Sequence, residues 1–378
     1  MKGNNSLVGS NACKSCHAEI FSSFIQTGHK STSMPPREEN IKGRFDKGEN
    51  GYWYNAYDGI VMQKTDTGFY QHQYYDRKFV KAHRFDIVIG SGKRGQSYLY
   101  WNNSYLFQLP ISYYTNEDTW SNSPGYDNGI ANFSRLVNSQ CLGCHSSHIG
   151  IVSNKEQTSE RFDKASVIYG INCERCHGPG GNHIAAFKNN AGNAEMELSI
   201  VNAGNLSRQI QLDACAVCHS GNSPDLSRAL DFATGDTLQH PHIQQYEKDE
   251  EIDVHGNQYG SLIQSKCFTA SSTMTCSSCH NPHVNKSKQL HIFSQKCMSC
   301  HVPKTETFCK NDKKIKTSVL AQNCIDCHMP NKESKILNVK LESEDNNTPA
   351  IIRSHLIKVY PEETQSISSF FYKSKNDF

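Results

Sequence analysis

Cys173-Glu174-Arg175-Cys176-His177 decides how this chain is read, because its pattern, two cysteines three apart with histidine directly after, occurs seven times. The other copies are Cys13-Lys14-Ser15-Cys16-His17, Cys141/Cys144/His145, Cys215/Cys218/His219, Cys276/Cys279/His280, Cys297/Cys300/His301 and Cys324/Cys327/His328. Two thiols at this spacing lie on one edge of a turn and can add to both vinyl groups of one haem, while the next residue brings an imidazole beneath the iron. Zinc knuckles also pair Cys-x-x-Cys, but they need no histidine at the following position. With 18 histidines in 378 residues, chance does not put one behind every pair. Thioredoxin-like redox pairs belong to an alternating strand-and-helix pattern that is missing here. A disulfide framework gives the histidines no purpose. The sequence therefore predicts seven covalently bound haem c groups, each with its iron.

Composition agrees with that reading. Apolar residues make up only 36% of a chain long enough for two or three ordinary domains, and fourteen of them are the motif cysteines. Haem macrocycles would supply the missing apolar surface. Lys and Arg number 39 against 37 Asp and Glu, so a net charge of +2 gives no reason to expect nucleic acid as a partner. No run of eighteen apolar residues predicts a transmembrane helix. The opening Met1–Ser6 is polar and is not a secretory signal. Haem is attached to such proteins outside the cytoplasm, so the expectation is an exported protein, periplasmic or extracellular, whose signal is absent from this chain.

Eleven histidines lie outside the motifs and can serve as sixth ligands. A second axial imidazole gives low-spin iron suited to electron transfer, whereas a missing one leaves room for substrate. His29 follows the first site behind Ile20, Phe21, Phe24 and Ile25, whose spacing predicts an amphipathic helix ending near Gly28. His183 lies beyond the Gly178-Pro179-Gly180-Gly181 turn and His283 beyond Asn281-Pro282, turns able to aim an imidazole at a neighbouring haem. His255 and His355 have apolar neighbours, and a buried imidazole needs a partner such as iron. The set of metal ligands is completed by His148 and His291. These two and His83 are balanced between ligand and bystander. His72, His240 and His242, in polar surroundings, read as surface residues.

Between His17 and Cys141 no motif occurs. From Gly51 the chain runs in short apolar and aromatic stretches, Tyr52-Trp53-Tyr54, Ile60-Val61-Met62, Phe69-Tyr70, Phe85–Ile89 and Tyr98–Trp101, broken by turn residues. Asn102-Asn103 marks a hairpin. Five or six antiparallel strands are expected here. Gly90-Ser91-Gly92-Lys93-Arg94-Gly95 lacks the order of a phosphate loop and precedes no helical run, so it reads as a turn between strands. The fold class expected is a multihaem cytochrome c fold, mainly α-helix and loop around a haem stack, with an antiparallel β insertion. Its parts would be residues 1–50 with the first site and its helix, a β subdomain at 51–136, a six-haem domain at 137–360, and a polar, mobile tail at 361–378. Cys267 and Cys309 stand outside the motifs. One disulfide between them is favoured over free thiols or a thiolate on iron.

The chain resembles the multihaem cytochromes related to the tetrahaem partner of hydroxylamine oxidoreductase, including homologues with tetratricopeptide repeats. The likeness rests on Val8–Cys13 through Thr27-Gly28-His29, Val88–Gly92, Gln108–Tyr113, Ser123–Tyr126, Cys173–Gly180 and Cys324–Pro330. It implies that His29, His183 and His283 are distal ligands. The repeats are absent here and seven sites exceed four, so the family's haem map does not transfer whole. Function is expected to be electron transfer between redox partner proteins, compatible with docking to a membrane or a larger electron-transfer complex. The alternative is an oxidoreductase acting on a small nitrogen or sulfur compound at a five-coordinate haem.

Overall fold

Alternating aromatic and polar residues give the first third of the chain its strands. The computed structural model describes residues 5–373, except 127–128, 153–158, 190–191, 193–198, 222–228, 239–251, 286–288, 314 and 343–346. Strands β2 (Gly51–Trp53), β3 (Gly59–Thr65), β4 (Gly68–Tyr75) and β5 (Lys78–Arg84) form one antiparallel sheet in that order. A second sheet holds β1 (Ser33–Met34), β6 (Ile87–Ile89), β7 (Gly95–Asn102), β9 (Ile111–Tyr114) and β10 (Thr119–Asn122), with β8 (Tyr105–Gln108) paired to β7. The expected single sheet is thus two, and the second recruits β1 from ahead of Gly51. The Asn102 hairpin forms as expected: Asn102 pairs with Tyr105, and Asn103 takes the left-handed φ of 54° that such a turn needs.

The central strand β7 faces two cores, because successive side chains of a strand point to opposite faces. Tyr98 and Tyr100 pack with Ile60, Met62, Phe69, Tyr113 and Trp120 between the two sheets. Leu99 turns the other way and meets Leu106, Leu142 and Phe162. Leu142 lies inside the second Cys-x-x-Cys-His motif, so one strand joins the β sandwich to the cysteine-rich part.

The chain as a whole is mixed rather than mainly helical. Among the described residues strand nearly matches helix in extent. β11 (Ser146–Ile151) pairs with β12 (Phe162–Tyr169), and β13 (Asn331–Val339) with β14 (Thr348–Arg353), in the region expected to be helix and loop. The physical reason is helix length: segments such as Cys173–His177 and Cys324–His328 span five residues each, too short to be stable unaided. Antiparallel ribbons satisfy the remaining backbone groups. One further expectation changes. The N-terminal helix, Ala18–Phe24, stops short of Gly28 where Thr27 turns its amide and hydroxyl onto Phe24 O. Only Phe24 of its apolar stripe is buried, while Ile20 is 50% exposed. Pro361–Lys373 is a helix beginning with proline and with Glu362 and Glu363 in its first turn, both favourable at an N-terminus.

The first motif is clamped to the third across the chain. Glu174, 7% exposed, accepts hydrogen bonds from Val8 N and Gly9 N (both 2.8 Å), just ahead of the Ser10–Lys14 helix that enters the first motif, and from Gly180 N (3.0 Å). Asn5 reinforces the join by donating to Pro179 O and accepting from Asn182 N. Arg175 beside it donates to Ala229 O and Phe232 O.

Trp120→Ala should cost about 3–5 kcal/mol, since Trp120 is 1% exposed and also donates to Arg44 O; a loss below ~1 kcal/mol on chemical denaturation would remove it from the core. Glu174→Ala should weaken docking of residues 5–9 by about 1–3 kcal/mol, because three amides lose their acceptor. Amide exchange at Val8 and Gly9 checks this, and unchanged protection there would contradict it.

Candidate haem sites

Each motif closes on itself as one helical turn. His17 N donates to Cys13 O at 2.9 Å, His280 N to Cys276 O at 2.9 Å and His301 N to Cys297 O at 2.8 Å. Residues i, i+3 and i+4 of a helical turn share a face, so both thiols and the imidazole of a motif project together. The longest described motif helix, Arg208–His219, is anchored by Leu212 and Ala216 against Tyr259 and Phe268.

Five motif imidazoles are then fixed by a hydrogen bond at Nδ1. His145 Nδ1 lies 3.3 Å from Thr32 O, His177 2.9 Å from Val201 O, His219 3.1 Å from Gln258 Oε1, His301 2.5 Å from Thr307 O and His328 2.9 Å from Lys358 O. A carbonyl oxygen only accepts, so Nδ1 carries the proton and the Nε2 lone pair is free for a metal. Of the histidines outside the motifs, His355 has the same bond to Arg353 O at 3.3 Å, and His183 Nδ1 is 3.3 Å from Ser199 Oγ.

Three histidines from outside the motifs stand opposite motif histidines at a common spacing. Ring centroids are 6.2 Å apart for His29 and His219, 6.0 Å for His177 and His283, and 6.1 Å for His280 and His355. This is the separation a metal between two imidazoles requires, with a metal–nitrogen bond of about 2 Å on each side and each ring's radius beyond. These residues come from sites up to 190 positions apart in sequence, as His29 and His219 are. Burial, with the neighbouring imidazoles and Lys93, pushes His29 down to about 4. Burial and His280 do the same to His355. Burial also lowers His145, His219, His280 and His283. Neutral imidazole is the form that binds iron. His255 and His145 are close enough for His255 to depress His145 further.

The other histidines divide. His148 sits on β11 paired with Ile168, and His291 is exposed at the start of the Leu290–Cys297 helix. His83 lies in an aromatic slot, 4.2 Å from Tyr100 and 4.6 Å from Phe133. His72 is half-buried on β4 against Phe79 rather than on a polar surface. His240 and His242 lie outside the described residues.

The cysteines place the motifs relative to one another. Thiol contacts join Cys13 with Cys173, Cys144 with Cys218, Cys215 with Cys276, and Cys297 with Cys324. Cys176 senses Cys218, and Cys297 senses Cys279. The favoured disulfide between Cys267 and Cys309 is not formed. Cys267 neighbours Cys279 and Cys300, whereas Cys309 lies by Cys327, so the two serve different motifs. Among the described residues no group of three Cys, His, Asp or Glu side chains surrounds a point as tetrahedral zinc would need.

Several positioning residues gave no sequence signal beyond their charge. Glu174 and Arg175 fill the variable positions of the third motif. Arg353 donates to Ile325 O, Met329 O and Asp326 Oδ1, gripping the seventh motif from β14.

Comparison with known proteins agrees with this geometry. Residues 115–178, which hold the second and third motifs, match the family described as cytochrome c554 and c-prime. The chain is 27% identical over 191 residues to multiheme cytochrome MtrA of Shewanella baltica (strain OS185), covering 46% of this chain and 55% of that protein. The chain thus spans about half the length of the curated relative it matches. The crystal structure of outer cell wall cytochrome OcwA shares the fold, with a TM-score of 0.56 and 16% identity over 95% of this chain and 81% of that one. Among the described residues no helix is long and apolar enough to cross a membrane. In its repeated motif, its imidazoles held at Nδ1 and these likenesses, the chain is similar to multihaem c-type cytochromes.

Proposed function

We propose that the chain binds seven haems covalently and passes single electrons between partner proteins outside the cytoplasm. The observation that carries this is the set of opposed imidazoles at 6.0–6.2 Å, since two nitrogen ligands saturate an iron and favour transfer over substrate binding. Bound haem supplies reversible one-electron chemistry; the chain holds, orients and desolvates it. In this reading His29 is the distal ligand of the fourth site, His283 of the third, His355 of the fifth and His255 of the second. His183, His148 and His291 complete the candidate set for the remaining sites.

The thiol contacts support a linear order of first, third, fourth, fifth, sixth and seventh sites, with the second beside the fourth. The fourth motif is then a junction with three neighbours. Location outside the cytoplasm is supported by covalent haem attachment and by the fold shared with a cytochrome named for the outer cell wall. We also read the likeness to relatives of the tetrahaem partner of hydroxylamine oxidoreductase as common descent of the part that matches the c554 family.

Intact mass should exceed that of the polypeptide by seven haems, and dithionite should produce the sharp red-region bands of reduced haem c. A lower count would refute the assignment at one or more motifs. His29→Ala, His255→Ala, His283→Ala and His355→Ala should each turn one haem from low-spin to high-spin by electron paramagnetic resonance with covalent haem retained. His83→Ala should leave the spectrum unchanged; a high-spin signal from it, or none from the other four, would overturn the ligand set.

A further inference from the structure

Besides β7, the Gly90–Gly95 turn between β6 and β7 reaches from the β sandwich to the cysteine-rich region. It is tightly held. A side chain at Gly95 would lie 2.6 Å from Tyr113 O, and Gly92 has a φ of +76°. Thr115 donates its amide to Arg94 O and its hydroxyl to Gly92 O. Lys93, at the tip, donates to Asn285 Oδ1 at 3.2 Å, and Asn285 donates onward to Gln26 O at 3.2 Å. Its Nζ is 4.0 Å from the Cβ position of Gly28. The ammonium therefore stands between the segments carrying His29 and His283. Arg94, the next residue, donates to Ile351 O, and its charge reaches His255. There the Asp253 carboxylate, which accepts from His255 N, opposes it.

We propose that Lys93 is a positioning residue that sets the reduction potentials of the third and fourth sites. Its hydrogen bond holds Asn285, which in turn joins the loop of His283 to that of His29 through Gln26 O, and its charge makes both irons easier to reduce than they would otherwise be. Reduction of Fe(III) to Fe(II) by one electron lowers the charge of a site by one, so a nearby cation favours the reduced form. Lys93 is exposed, which screens but does not remove the effect. Arg94 acts less strongly on the second site because Asp253 offsets it. The inference rests on the proposed assignment of His29 and His283 to the fourth and third sites.

The test is a potentiometric titration of the full-length holoprotein with an external reductant, followed by electron paramagnetic resonance of individual low-spin haems. Lys93→Met and Lys93→Gln should lower the Fe(II) to Fe(III) ratio of two haems roughly 3- to 10-fold at a fixed applied potential. Lys93→Arg should restore the wild-type ratio. Wild-type potentials in Lys93→Met and Lys93→Gln, with haem mass and low-spin spectra intact, would overturn the proposal, as would a shift in Lys93→Arg equal to that in Lys93→Met. Failure of the underlying ligand assignment shows separately, as unchanged low-spin signals in His29→Ala and His283→Ala.

Discussion

Backbone carbonyls that accept from imidazole Nδ1 are the constraint on which the candidate haem sites depend. A free histidine ring has two nitrogens and two tautomers; once Thr32 O, Val201 O or Lys358 O faces Nδ1, one tautomer remains and the Nε2 lone pair is left free. The motif turn puts the thiols on the same side. Imidazole direction, thiol placement and local backbone are thus settled together. Segments of five to twelve residues suffice where an ordinary core would need longer helices.

Rigidity elsewhere is borrowed from the β sandwich. Its own core of Tyr98, Tyr113, Trp120 and their neighbours is aromatic and well buried. The rear face of β7 meets the helix of the second motif, and the turn ahead of β7 reaches the loops of His29 and His283. A subdomain without motifs therefore aligns sites that are remote in sequence.

Buried charge does similar work at the first and third motifs. Glu174 costs desolvation, and three backbone amides offset it by hydrogen bonding to the ionised form. Because those amides belong to the arm before the first motif and to the turn after the third, the carboxylate holds Cys13 against Cys173 as no apolar residue would. Arg353 plays the corresponding part for the seventh motif with two carbonyls and Asp326.

The amino-acid sequence by itself determined what is local: the Cys-x-x-Cys-His turns, the alternating strands from Gly51, and the hairpin at Asn103, since each follows from residue spacing within a few positions. Pairing of His29 with His219 and of His280 with His355 was decided by tertiary structure, because an imidazole's partner depends on the path of the chain between them. The same holds for the placement of His83 among aromatic rings and for the separation of Cys267 from Cys309. The ribbons β11–β12 and β13–β14 were hidden for a related reason. Their strands mix polar and apolar residues with little alternation, and it is the pairing of one with the other that makes them strands.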